Sequence, residues 1–209
     1  MSDKNEIAVS VFNSLAQSYA DKYMDVSQYL PSINTLTKRL ALESKVLELG
    51  CGPGNLTKQL HLLRPDLKIT ATDLAPEMLY IAKNNNPSIE TLKLDCRNVN
   101  SLKQKFDCVV IGFVLPYLNQ KEVEQLLSDT FHVLNTNGCL YLSTIMGNPK
   151  TSDWKKGSNT NTPSIYMNYY SKNQIEKWLT RNHFSISNTQ VLNITNADEK
   201  DLVVVAVKT

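Results

Sequence analysis

The stretch Lys45-Val-Leu-Glu-Leu-Gly-Cys-Gly-Pro-Gly-Asn55 limits the fold more than any other part of the chain. Val46, Leu47 and Leu49 make an apolar run too short for a helix and stopped by glycine, the pattern of a strand buried on both faces of a parallel sheet. Gly50, Gly52 and Gly54 follow at alternate positions, and Leu56, Leu60 and Leu63 then recur at helical spacing. Strand, tight glycine turn and helix in that order let a ligand lie against bare backbone at a helix N-terminus. A nucleoside suits such a turn.

Composition narrows the class. A chain of 209 residues suits one domain with a proper core, here 1–209. The net charge of +2 is spread along the sequence and leaves no basic footprint for nucleic acid. No apolar run approaches a membrane span, and Met-Ser-Asp-Lys-Asn-Glu does not read as a signal peptide. Cys51, Cys96, Cys108 and Cys139 are scattered, without a C-x-x-C pair, and read as reduced thiols of a cytoplasmic protein. The three histidines are far apart, so no metal spacing is present and no metal is expected.

The glycine spacing separates two nucleotide-binding classes. Dinucleotide binders carry G-x-G-x-x-G, whereas this chain has G-x-G-x-G with Glu48 two residues before the first glycine. At these positions it resembles the class I S-adenosylmethionine-dependent methyltransferases, whose first motif is (V/L)-L-(D/E)-x-G-x-G-x-G. Val11-Phe-Asn-Ser-Leu-Ala-Gln-Ser-Tyr-Ala-Asp-Lys-Tyr23 resembles the family's F-(D/N)-x-x-A-x-x-Y segment. There a helix folds over the cofactor and its tyrosine, Tyr19 in this chain, reaches the methionine end; plain packing of Tyr19 and Tyr23 into the core is the other reading. Residues 1–42 are expected to be helical, with one helix up to about Tyr19 and a second, opened by Pro31, running to about Leu42.

Leu67 to Thr72 alternates toward Asp73, about twenty residues beyond the glycines, where such folds set a carboxylate against ribose hydroxyls. A carboxylate only accepts hydrogen bonds, so two vicinal hydroxyls match it. Asp73-Leu-Ala-Pro-Glu-Met78 fits the family form D-x-(S/A)-x-x-M, which puts Met78 near the adenine; filler of the core is the alternative. Ile89 to Leu94 forms a third strand ending at Asp95, which in the family accepts from the adenine amino group while the next backbone N–H, that of Cys96, meets a ring nitrogen. A cap for the next turn is the other use of such an aspartate.

Phe106 to Phe113 is a central strand leading into Gly112-Phe-Val-Leu-Pro-Tyr-Leu118. The chain lacks the (D/N/S)-P-P-(Y/F/W) of enzymes that methylate amino groups on bases or on protein glutamine, so the resemblance is to small-molecule methyltransferases. Lys121 to Leu134 reads as an amphipathic helix, Asn135 to Gly138 as a turn keeping a residue tolerant of positive φ, and Leu140 to Ile145 as a fifth strand. Residues 146–170 are expected to be a mobile lid over the acceptor, with Tyr166, Tyr169 and Tyr170 lining the pocket. Ser171 caps a helix, Arg181 to Phe184 stands where the family has A-G-F, and Ile186 to Ile194 with Leu202 to Val207 closes the sheet as a hairpin.

The resemblance thus implies an α/β fold: a three-layer α/β/α sandwich on a mostly parallel seven-stranded sheet, order 3-2-1-4-5-7-6 with the last strand antiparallel. It implies cofactor contacts at Tyr19, Glu48, Gly50, Cys51, Gly52, Gly54, Asn55, Asp73, Leu74, Met78, Asp95, Cys96, Gly112 and Phe113. The cofactor is S-adenosyl-L-methionine, the product S-adenosyl-L-homocysteine, and the partner a small-molecule acceptor. Neither nucleic acid nor membrane is expected, and the protein acts as a monomer or homodimer. Tyr117 and Tyr169 are the catalytic candidates; His183, Tyr166 and Tyr170 are further groups placed where a base could serve. A non-catalytic binding module, a nicotinamide-dependent reductase and a protein or RNA methyltransferase are the alternatives. The reductase lacks a Y-x-x-x-K pair here.

Overall fold

In chain order the elements are α1 (Lys4–Ser14), α2 (Ala16–Tyr23), α3 (Leu30–Thr37), β1 (Lys45–Leu49), α4 (Asn55–Leu63), β2 (Lys68–Asp73), α5 (Pro76–Asn85) and β3 (Glu90–Lys93). Then come β4 (Phe106–Gly112), α6 (Gln120–Val133), β5 (Leu134–Met146), β6 (Asp153–Lys155), β7 (Ile165–Met167), α7 (Lys172–Arg181), β8 (Phe184–Asn193) and β9 (Lys200–Lys208). This computed structural model describes residues 4–156, 163–193 and 200–209. Ile194, the expected end of the first closing strand, lies outside the described residues.

The sheet runs β3-β2-β1-β4-β5-β9-β8. Strands β1 to β5 are parallel, and β9 is antiparallel to both neighbours. With the small β6–β7 hairpin counted apart, this is the expected order 3-2-1-4-5-7-6. β1 and β4 lie at the centre because their apolar runs can be buried on both faces. Alternation along them splits the core in two. Leu47, Leu49, Val109 and Ile111 meet α6 and α7, whereas Val46, Val110, Tyr141 and Val205 meet α3 and α4.

Three expectations give way to local chemistry. The N-terminal segment forms three helices, not two, because the chain turns out of helical geometry at Leu15 (φ −110°, ψ 14°). α3 ends at Thr37 and not near Leu42. The Arg64 guanidinium, paired with Asp66, donates to the carbonyls of Thr37, Leu40 and Ala41 at 3.0, 2.9 and 2.8 Å, satisfying the groups a longer helix would have used. β5 starts at Leu134, directly after α6, and takes in the expected turn, in which Asn137 carries a positive φ, at 61°.

Residues 146–170 are likewise not a plain loop. A 3-10 turn at Pro149–Thr151 leads into β6, which pairs antiparallel with β7, Trp154 opposite Tyr166. Those rings meet edge to face, 5.7 Å apart, a cross-strand aromatic pair that favours a hairpin. Residues 157–162, inside the expected lid, lie outside the described residues. Ser171 caps α7 in a capping box with Gln174. His183 has a left-handed backbone, φ 59°, just before β8.

Candidate functional site

The site begins where β1 stops. Gly50 (φ 66°) carries no Cβ, which would fall 2.4 Å from Val114 Cγ2; at Gly54 (φ 79°) it would fall 2.6 Å from Asn86 Nδ2. Asn86 holds the turn by donating to the carbonyl of Gly54 at 3.1 Å, and the Cys51 N–H donates to the carbonyl of Thr72 at 2.8 Å. α4 then starts with its N-terminus behind the loop.

Two strand ends bring acids to this loop. Asp73, at the end of β2, accepts from the Gly52 N–H through Oδ2 and from the Ala75 N–H through Oδ1, both at 2.9 Å. Burial raises its carboxyl above the usual range, while these N–H groups act in the opposite direction. Asp95, beyond β3, caps the next turn by accepting from the Arg97 N–H at 2.9 Å. It also takes the Arg97 guanidinium at 2.7 Å, and Arg97 reaches on to Glu122 at 3.0 Å.

Asp73 and Asp95 face one cavity of about 110 Å³. Gly50, Gly52, Leu74, Met78, Cys96, Gly112 and Phe113 line it with them, and so do Tyr19 and Tyr117. Phe12 stands edge-on to Tyr19 at 5.6 Å and to Tyr117 at 5.0 Å, so α1 and α2 roof the cavity. Burial pushes the Tyr19 hydroxyl up to about 12 and the Tyr117 hydroxyl well above its usual range. Both therefore keep their protons at neutral pH. Asn5, Ala8, Val9, Leu94 and Val114 complete the wall without having stood out in the sequence.

Five expected contacts fall outside that lining. Glu48 is fully buried on the α4 side of β1, where it accepts from the Thr57 hydroxyl, and burial pushes its carboxyl up to about 7. The Cys51 thiol is buried and held neutral by desolvation. Gly54 shapes the turn. Asn55 donates to the Tyr23 carbonyl at 2.9 Å and so ties α4 to the roof. Tyr169 is buried against Gly147, where a Cβ would come within 2.9 Å of its ring, and its N–H donates to Ser152 Oγ at 3.0 Å.

The other candidate bases are also placed. Tyr170 donates its hydroxyl to the Leu118 carbonyl at 2.5 Å, and Tyr166 to the Ser152 carbonyl at 3.3 Å. His183 precedes Phe184, whose strand partner is Lys208, at the end of the sheet where β5 begins. The cavity lies at the opposite, carboxyl ends of β1, β2 and β4. The expectation that His183 stands near the acceptor is therefore corrected; its ring packs 5.9 Å from Phe131.

Residues 46–138 match the methyltransferase domain family. Over that segment, a little under half of the chain, it is similar to methyltransferase domains. It is similar to the malonyl-[acyl-carrier protein] O-methyltransferase of Bacillus anthracis, 32% identical over 178 residues, which are 78% of this chain and 64% of that relative. The chain thus spans less than two thirds of that relative's length. Its fold is that of solved methyltransferase structures. A complex of DhpI with S-adenosylhomocysteine superposes with a TM-score of 0.76 at 17% identity, covering 99% of this chain and 97% of the other. The 1,6-didemethyltoxoflavin-N1-methyltransferase of Burkholderia thailandensis, bound to its substrate and S-adenosylhomocysteine, does so at 0.72 and 20% identity, covering 98% and 88%.

Arg97 and Glu122, which hold Asp95 from behind the cavity lining, did not stand out in the sequence. Glu122 was legible in one respect, as the third helical residue after Asn119 in a capping box. Its reach back to Arg97 was not.

Proposed function

We propose that the protein transfers a methyl group from S-adenosyl-L-methionine to a small-molecule acceptor. One observation carries the reading: Asp73, Asp95 and the backbone of Gly50 and Gly52 face the same roofed cavity. The donor set fits the cofactor. Asp73 would accept from ribose hydroxyls and Asp95 from the adenine amino group, with Met78 and Leu94 as apolar walls. The bound cofactor supplies an electrophilic methyl carbon.

The chain's own work is alignment and exclusion of water. Phe12, Tyr19 and Tyr117 cover the cavity with aromatic surface, and Tyr117 offers its hydroxyl to orient the acceptor. With its proton held, Tyr117 serves as a donor and not as a base. Tyr169 acts by holding the β6–β7 hairpin, which the Asn168 N–H anchors to the Pro116 carbonyl at 2.7 Å beside Tyr117. The β6–β7 hairpin would bound the acceptor side. The names of the relatives support an oxygen or nitrogen acceptor. The four free cysteines, three of them buried, suit a reducing cytoplasm, where the protein would act as a monomer or homodimer.

The test is incubation with methyl-labelled S-adenosyl-L-methionine and a fractionated small-molecule extract. S-adenosyl-L-homocysteine should form in step with a labelled small product. Label appearing only in protein or nucleic acid would refute the small-molecule reading.

A further inference from the structure

Phe113, at the carboxyl end of β4, lines the cavity with a left-handed backbone, φ 56°. A bulky residue adopts that conformation only where its surroundings enforce it. Its N–H donates to the Ser143 carbonyl at 2.8 Å. Its ring packs against Tyr29, centroids 5.5 Å apart and planes at 50°. Tyr29 lies in the turn before α3, away from the cavity, and its hydroxyl donates to Asp201 Oδ2 on β9 at 2.5 Å.

Tyr29 and Asp201 are both buried, beside the apolar Val203 and Val205. A buried carboxylate is costly unless hydrogen-bonded, and a well-packed apolar pair would stabilise such a core as well. What the polar pair adds is direction: one O–H···O bond fixes where the Tyr29 ring stands. Burial raises the Tyr29 hydroxyl well above its usual range, which keeps it a donor.

We propose that Tyr29 and Asp201 form a strut that holds Phe113 in its cavity-lining position, making both positioning residues for cofactor binding. The proposal rests on the cofactor reading only for its choice of ligand.

The experiment has two readouts, hydrogen exchange in the free protein and affinity for S-adenosyl-L-homocysteine. In Tyr29→Phe the Phe113 amide should exchange about tenfold faster while the other β4 amides keep their protection. The Kd should rise roughly tenfold, and the double variant Tyr29→Phe/Phe113→Ala should be no weaker than Phe113→Ala alone. Asp201→Asn, which keeps an acceptor for the tyrosine, should stay within about twofold of the parent, and Asp201→Ala should behave like Tyr29→Phe. These two variants carry the test if Tyr29→Phe does not fold. An unchanged Phe113 amide, or losses that multiply in the double variant, would overturn the strut. Failure of the unaltered protein to bind the ligand would count against the cofactor reading, leaving the exchange data to judge the strut.

Discussion

Asp73 ties the glycine loop to β2 while facing the cavity, so its removal acts on both sides. Asp73→Ala leaves the Gly52 and Ala75 N–H groups without their acceptor and takes away the expected ribose contact. Charge-assisted hydrogen bonds contribute about 1.5–3 kcal/mol each, so the Kd for S-adenosyl-L-homocysteine should rise about 100-fold or more by calorimetry. Glu48 makes a different prediction. Its carboxyl moves from an ordinary 4.5 to about 7, so the folded protein keeps a proton that the unfolded chain releases between those values. The contribution of Glu48 to stability is full below about pH 4.5, is lost as pH rises through that window, and is constant above it. Glu48→Gln mimics the protonated form. It should be more stable than the parent at alkaline pH, by on the order of 3 kcal/mol, with the gain vanishing near pH 5. Urea titrations across pH check this; a constant difference would contradict it. Asp73 and Asp95 were legible because each closes a strand at a fixed distance from the glycines. Glu48 lies outside the cavity lining, and the sequence could not show this because β1 is buried on both faces and alternation does not say which face meets the cavity. The Asp95–Arg97–Glu122 chain was hidden by its 25-residue reach from Arg97 to Glu122.

At the scale of elements, the roof matters most. Asn55 to the Tyr23 carbonyl, Asn13 to the Glu77 N–H and Asn5 to the Tyr117 carbonyl fasten α1 and α2 to the body. A partly exposed bond of this kind contributes about 1 kcal/mol. Asn55→Ala should therefore weaken ligand binding about fivefold and speed amide exchange in α2, while Tm falls by no more than about 4 °C. An unchanged affinity would mean that the roof closes without this clasp. Arg64→Ala should act only on stability, lowering Tm by roughly 4–8 °C as three carbonyls lose their donor. Ligand affinity should stay as it was. Helical periodicity located this region, but the break at Leu15 and the end at Thr37 come from backbone geometry and from Arg64, 27 residues beyond Thr37. The β6–β7 hairpin was read as loop because its strands are only three residues each, and Asn, Ser and Thr dominate the sequence between.

For the whole molecule, the sheet order was legible through the resemblance that the glycine motif carries; an apolar strand, a glycine turn and a helix by themselves state only a parallel α/β sheet. The acceptor half was less legible: aromatics near a pocket do not state a substrate, and fold does not supply one. The central claim is that the cavity at the carboxyl ends of β1, β2 and β4 holds S-adenosyl-L-methionine or its product. Thermal unfolding with S-adenosyl-L-homocysteine, beside the oxidised nicotinamide dinucleotide, tests it most directly. At a hundred times Kd a ligand stabilises by about 2.7 kcal/mol, which should raise Tm by roughly 5–10 °C for a chain of this size. The account predicts that rise with S-adenosyl-L-homocysteine alone, and its loss in Asp73→Ala. No rise with it, or a rise only with the dinucleotide, would contradict the assignment.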